Sequence, residues 1–578
     1  MTRIRVATLF AVLAVSVVAC DRSDVPVEPA YEMNALLDHV PADTPYLAAN
    51  LARLPDEFVD TWLVRLQPVL EEMQTQLSAA RADMEQAGPA ANPHAGLPLA
   101  VLSELDGKLS RAGLESLGLD IGAHNAVYGM GAFPVVRIGL SDPSALRATV
   151  QRVFERAGMT VPEQSFQGVP YWRLADEHQD ELAVGLYLAI LDDHLAAGVL
   201  PPSAEQELLP AFLGLEKPAD SDAGARLLAL NEAQDYTPYG SGILDLHRLA
   251  DQFLQPDALT AGVIAASGND RLSSLGPACV SEIHAVIDQA PRMTAGTTEL
   301  SAAAIGYQYR VESPSTLAGR LMDLVADIPA VEAVSSRMVD LAFGMRFGAV
   351  RDFVQQTASA IVADPFECEQ LQELNDGAAN TLARLDQPMP PFVNNFRGIR
   401  ISLDDIRMDG ATMPADASGH LAVHVEKPEM FIGMAQMFLP DLSNLAITAG
   451  DPPVRVPESL LPAPGMVAYA AMSKDAIGLS VGAGEEQGLP AFLDRDAGPK
   501  GMFLSASYDT AAYLDLTSRY TAERQRGQYD EGHEAAADAA RAIAEAGRAA
   551  FRAAADRSLT TLRFGADGLV IDGRMTFR

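Results

Sequence analysis

The sequence is short of positive charge: 42 lysine and arginine residues stand against 77 aspartate and glutamate residues, a net charge of −35. A surface of that sign repels phosphate backbones, so nucleic acid is excluded as a partner on electrostatic grounds. Lysine itself is nearly absent, confined to Lys108, Lys217, Lys427, Lys474 and Lys500. Cysteine occurs only at Cys20, Cys279 and Cys368, which limits the chain to one intramolecular disulfide. The apolar run near the start, Val6 to Ala19, is fourteen residues long. A membrane-spanning helix needs roughly 20, so a permanent span is not expected there. What is abundant is apolar side chain, 48% of 578 residues, enough for real cores and several domains. The acidity suits a well-solvated surface in a salty or crowded compartment.

Arg3 and Arg5, the apolar run and the small residues before Cys20 are the three parts of a secretory signal. The segment Val17-Val18-Ala19-Cys20 resembles the lipobox of bacterial lipoproteins. That resemblance implies removal of residues 1–19, diacylglyceryl and palmitate-type acylation of Cys20, and a body held at the membrane facing the periplasm. Asp21 resembles an inner-membrane retention signal, and residues 20–34 read as a polar, proline-broken tether. In an oxidising compartment the remaining pair, Cys279 and Cys368, is expected to form a disulfide.

Internal self-similarity is the strongest signal in the body. A strand runs into a polar residue, a proline and an apolar helical pattern at Asp142-Pro143, Ser313-Pro314 and Lys427-Pro428. Asp142 and Ser313 are suitable N-caps, and proline at the first helical position costs no hydrogen bond. Gly168, Pro170, Arg173 and Leu174 recur at the spacing of Gly450, Pro452, Arg455 and Val456. Leu209-Pro210-Ala211-Phe212-Leu213 returns as Leu489-Pro490-Ala491-Phe492-Leu493. A strand leading into an amphipathic helix appears at Tyr46 to Trp62, Ile243 to Phe253, Phe343 to Phe353 and Phe503 to Leu514. A stripe of small residues from Ala536 through Ala540, Ile543, Gly547 and Ala550 to Ala554 predicts a closely packed helix, and two alternating strands at 560–564 and 569–577 predict a closing hairpin.

These patterns predict an α+β fold of internally duplicated units, each a largely antiparallel sheet covered by amphipathic helices. The expected units are 35–265, 266–400 with the cysteine pair, and 401–578. In outline the chain resembles uncharacterised exported bacterial proteins of repeated α+β build, a likeness that implies no activity.

Candidate chemistry is sparse. Gly478-Leu479-Ser480-Val481-Gly482 matches the nucleophile elbow of serine hydrolases, but Ser480 is expected inside the second strand of a hairpin, and only His533 follows it. His420 and His424 share a strand face and invite a metal ion, yet two ligands are not a site. Asp404 and Asp405 read as polar residues of a solvated strand face. Gly129-Met130-Gly131 lacks the third glycine of a dinucleotide loop, so no cofactor is expected. The expectation is a non-enzymatic envelope lipoprotein that binds or assembles with another envelope component. The alternative is a carrier of a lipid or other hydrophobic ligand, with Met430, Met434 and Met437 as an adaptable lining.

Overall fold

The computed structural model describes residues 31–87, 96–174, 185–266, 275–331, 335–387, 391–409, 413–438, 442, 445–461, 465–514, 545 and 548–578. Cys20, Asp21, His533 and most of the alanine stripe lie outside them. Asn34 to Arg578 form one compact unit. No helix among the described residues is long and apolar enough to cross a membrane.

The strands of the first part of the chain are β1 (Tyr46–Ala49), β2 (Asn125–Met130), β3 (Phe133–Gly139), β4 (Gln164–Phe166), β5 (Val169–Leu174), β6 (Gly185–Ile190), β7 (His194–Leu200), β8 (Ser241–Asp245), β9 (Arg292–Leu300) and β10 (Ala304–Glu312). Those of the second are β11 (Val339–Gly344), β12 (Phe396–Asp409), β13 (Met413–Val425), β14 (Val454–Arg455), β15 (Ala468–Met472), β16 (Ala476–Val481), β17 (Met502–Asp509), β18 (Ala555–Gly565) and β19 (Gly568–Phe577). All 19 join in one antiparallel sheet. From one edge inward the pairings run β4, β5, β6, β7, β3, β2, β1, β8, β9, β10. From the other they run β14, β15, β16, β13, β12, β11, β17, β18, β19. The two runs meet where β10 pairs with β19, around Gln308 opposite Asp572, and the Gln308 amide donates to that carboxylate at 2.5 Å.

Alternating burial along β7, β11 and β16 shows the period of two that puts one side of each strand against a helix. One face of the first half is covered by the helix Pro143–Ala157, whose Leu146, Thr149, Val153 and Phe154 are buried at helical spacing, with Leu146, Val153 and Phe154 packed with Trp172 and Ile190. The opposite face lies under the helix Glu205–Phe212, whose Phe212 ring meets Gly198 of β7. In the second half the helix Leu489–Leu493 takes that place, packing Leu489, Phe492 and Leu493 on Ala422, Ala471 and Ala476.

The α+β class with a large antiparallel sheet is the observed one. Asp142 caps its helix as expected, accepting from the Ser144 and Ala145 amides. Ser313 does not: Pro314 stays extended, the helix begins at Ser315, and the Ser313 hydroxyl is one residue too early to cap it. The expected boundary at 400–401 falls inside β12, where the strand ladder continues without a linker. The sulfur atoms of Cys279 and Cys368 lie at disulfide distance, with Cα atoms 4.6 Å apart. They connect the helix Pro277–Ile287, between β8 and β9, to the segment between β11 and β12. Met430 and Met437 point outward, 41% and 77% exposed, and so line no interior cavity.

Candidate functional site

The buried faces of the two halves differ in one row of side chains. In the second half, register places Ser507, Asp340, Ser402, His420 and Ser480 side by side across β17, β11, β12, β13 and β16. All five are at most 9% exposed. The corresponding row of the first half is Ile243, Leu47, Tyr128, Val135 and Gly198. Its alignment is fixed at both ends. Beyond the last member of each row stands a tyrosine, Tyr187 opposite Gly198 and Tyr469 opposite Ser480. Two residues past Ile243 and Ser507, Asp245 and Asp509 each accept the amide three residues on at 2.9 Å. In that row only the Tyr128 hydroxyl needs a partner, and Arg137 Nε supplies it at 3.0 Å, whereas the second half buries three hydroxyls, an imidazole and a carboxylate that all need partners.

Three of the five, Asp340, Ser402 and His420, line a cavity of about 410 Å³ together with Ser335, Arg337 and Arg495. The Asp340 carboxylate accepts from the Ser402 hydroxyl at 2.5 Å and from the Ser335 hydroxyl. The Arg337 guanidinium reaches Asp404 and, at 3.2 Å, Glu485. His420 Nε2 donates to the Glu485 carbonyl at 2.8 Å, and its ring stacks on Phe492. Burial raises the Asp404 carboxyl above the usual carboxylate range, and Arg337 pulls the other way.

The roof of the cavity is held by a buried arginine. Arg400 on β12 donates to the Phe492 carbonyl at 2.8 Å, with its guanidinium over the Phe492 ring. In the first half Arg137 on β3 donates to the Phe212 carbonyl, also at 2.8 Å, and to Ala211. The two arginines lie on different strands of the row, Arg137 on β3 opposite Ala126 and Arg400 on β12 opposite Ala422. Both satisfy carbonyls at the end of a short helix, where intrahelical partners run out.

No family model, curated protein or solved structure matches this chain.

Chemically, the cavity presents serine oxygens whose protons are committed to Asp340, together with guanidinium donors at its rim. The Ser402 and Ser335 hydroxyls both donate to the one Asp340 carboxylate. Ser480 sits within β16, fully buried, and its hydroxyl donates to the Tyr469 carbonyl at 3.5 Å, which is not the exposed turn of a nucleophile elbow. His420 and His424 do face one side, but four residues along a strand span about 13 Å, too far for a shared ion. His420 joins the cavity. His424 lies beside Arg400 and Asp475, and burial lowers its imidazole pKa to about 4. Among the described residues no group of three or more metal-ligating side chains converges. The sequence singled out His420 and Asp404 but missed Ser335, Arg337, Asp340, Ser402 and Arg495. Lining up the two halves residue by residue, polar against apolar, was the available signal.

Proposed function

We propose that the chain is a bacterial envelope lipoprotein, tethered by lipid on Cys20 and facing the periplasm, whose body is two copies of one α+β unit. In this proposal the second copy is specialised to bind a small, oxygen-rich polar molecule without covalent chemistry. The duplication rests on the shared strand succession and on the matching tyrosine, aspartate cap and Leu-Pro-Ala-Phe-Leu helix in each half. The binding role rests above all on one observation: a row that is mostly apolar in the first half is polar in the second, where Asp340, Ser402 and His420 border a cavity. A cavity of this size is at the small end of ligand sites, and directed hydrogen bonds would set its specificity.

The purified mature chain, screened against small polar metabolites by thermal shift and then by calorimetry, should find a ligand. Ser402→Ala and Asp340→Asn should each weaken it about tenfold or more, the loss of one hydrogen bond involving a charged group. A wild-type chain that no compound stabilises beyond the Ser402→Ala chain would sink the binding role. Intact mass of material from the native host tests the tether separately, since an unmodified amino terminus would remove it. The carrier alternative draws on the open central sheet face, where Tyr307 and Tyr309 are 40% and 49% exposed. Native mass spectrometry should then find a co-purifying lipid.

A further inference from the structure

The cavity beside β11, β12 and β13 holds a charge that the fold leaves without a counter-ion. Asp340 is 9% exposed, and its carboxylate receives only two neutral hydroxyls, Ser402 on one oxygen and Ser335 on the other. Among the described residues no cation pairs with it. Arg337 is committed to Asp404 and Glu485, Arg400 donates to the Phe492 carbonyl, and Arg557 donates to the Ser507 hydroxyl and the Arg337 carbonyl. Packing does not require the carboxylate either, since the equivalent position of the first half is Leu47, 2% exposed. A buried carboxylate without a counter-ion destabilises a fold, and here the fold accepts leucine in its place.

The hydrogen-bonding inventory around Asp340 defines the missing partner. An ionised carboxylate accepts at more sites than two hydroxyls fill, and a serine oxygen that donates its one proton keeps its lone pairs. The Ser402 and Ser335 protons are spent on Asp340, and Ser335 Oγ also accepts from the Arg337 amide at 3.1 Å. What these three side chains still offer is acceptors alone. A primary ammonium is the complement, with several N–H donors, a positive charge and no acceptor of its own.

We propose that the ligand of this cavity carries a primary ammonium seated on Asp340, Ser402 and Ser335, and so belongs to the small amines rather than to the neutral polyols; this rests on the binding role proposed above for the same cavity. The neighbouring charges agree with it. Arg337 is outnumbered by Asp404 and Glu485, and a body with a net charge of −35 draws small cations toward it. Ser336 and Arg495 of the lining are exposed, so a small ligand reaches the cavity without opening the fold.

Isosteric pairs test the assignment on the full mature chain: ethanolamine against ethylene glycol, and glucosamine against glucose, each exchanging an ammonium for a hydroxyl. Calorimetry and thermal shift read the binding. In at least one pair the amine should bind about tenfold tighter or more, the difference made by hydrogen bonds to a charged group. Asp340→Asn keeps the shape and removes the charge, so it should abolish that preference while the ligand-free chain unfolds at an unchanged or higher temperature. If in neither pair the amine binds more tightly than its hydroxyl partner, the ammonium assignment is overturned. A polyol that binds and is weakened by Ser402→Ala would, in that event, leave the binding role itself standing. A lower unfolding temperature of the ligand-free Asp340→Asn chain would show that the carboxylate serves the fold, which overturns the assignment as well.

Discussion

At the scale of single residues, buried charge organises this protein. Arg137 and Arg400 are at most 3% exposed, and each is the hydrogen-bond partner of a helix-end carbonyl that nothing else satisfies in the same way. Arg137→Met and Arg400→Met should therefore each destabilise the fold by about 2–4 kcal/mol, chiefly the cost of leaving buried carbonyls unpaired. Urea unfolding with an unchanged m-value checks this, and a loss under 1 kcal/mol would mean that water replaces the guanidinium. Histidines with pKa values lowered by burial set a pH response, among them His39, His194 and His424. Burial, with Arg400 nearby, lowers the His424 pKa to about 4; burial, with Arg137 nearby, lowers that of the half-buried His39 to about 3. Both are neutral in the fold above those values, whereas unfolded histidine takes up a proton below about 6.5. Stability is thus complete above about pH 6.5 and falls as the pH drops toward 4, by up to about 1.4 kcal/mol per pH unit for each group. The partly exposed His39 contributes less than His424. His424→Gln should flatten the limb between pH 6.5 and 4 in urea titrations, and an unaltered limb would assign the response elsewhere.

At the scale of elements, local chemistry decided where helices begin, and it separates two sites that look alike in the sequence. Asp142 and Ser313 each precede a proline and a helix, but only Asp142 accepts amide hydrogens. Asp142→Ala should cost about 1 kcal/mol. Ser313→Ala should be neutral or slightly stabilising, because the buried Ser313 hydroxyl has no hydrogen-bond partner to lose. Thermal unfolding of the two variants distinguishes them, and equal losses would place Ser313 in a cap after all. The four strand-to-helix segments legible in the sequence are β1, β8, β11 and β17 with their following helices, and the closing hairpin is β18 and β19. Periodicity revealed these because each element buries one side. It did not reveal how they pair, because antiparallel pairing brings together segments far apart in the chain. Asp340 and Ser402, 62 residues apart, meet only through the β11–β12 register.

At the scale of the whole molecule, the halves are joined by the β10–β19 ladder, by ion pairs such as Arg574–Glu299 and Arg310–Asp567, and by the covalent reach from Cys279 to Cys368 across 89 residues. Closing a loop of that length in the unfolded chain contributes about 4 to 5 kcal/mol in the chain-entropy model. Cys279→Ser with Cys368→Ser should lower the urea midpoint accordingly, and thiol labelling of unreduced, denatured wild-type chain should modify neither position. Labelling at both would replace the bridge with two free thiols. The sequence by itself determined the acidic surface, the apolar content that requires a core, and the alternation that makes strands and helices of an α+β class, since these depend on composition and nearest neighbours. Only the tertiary structure decided that the strands form one ladder meeting at Gln308 and Asp572, and that five side chains from five strands line up as a mostly apolar row in one half and as a polar row in the other. Hydrogen-bond register acts between strands, and a linear pattern carries no record of which strand lies beside which.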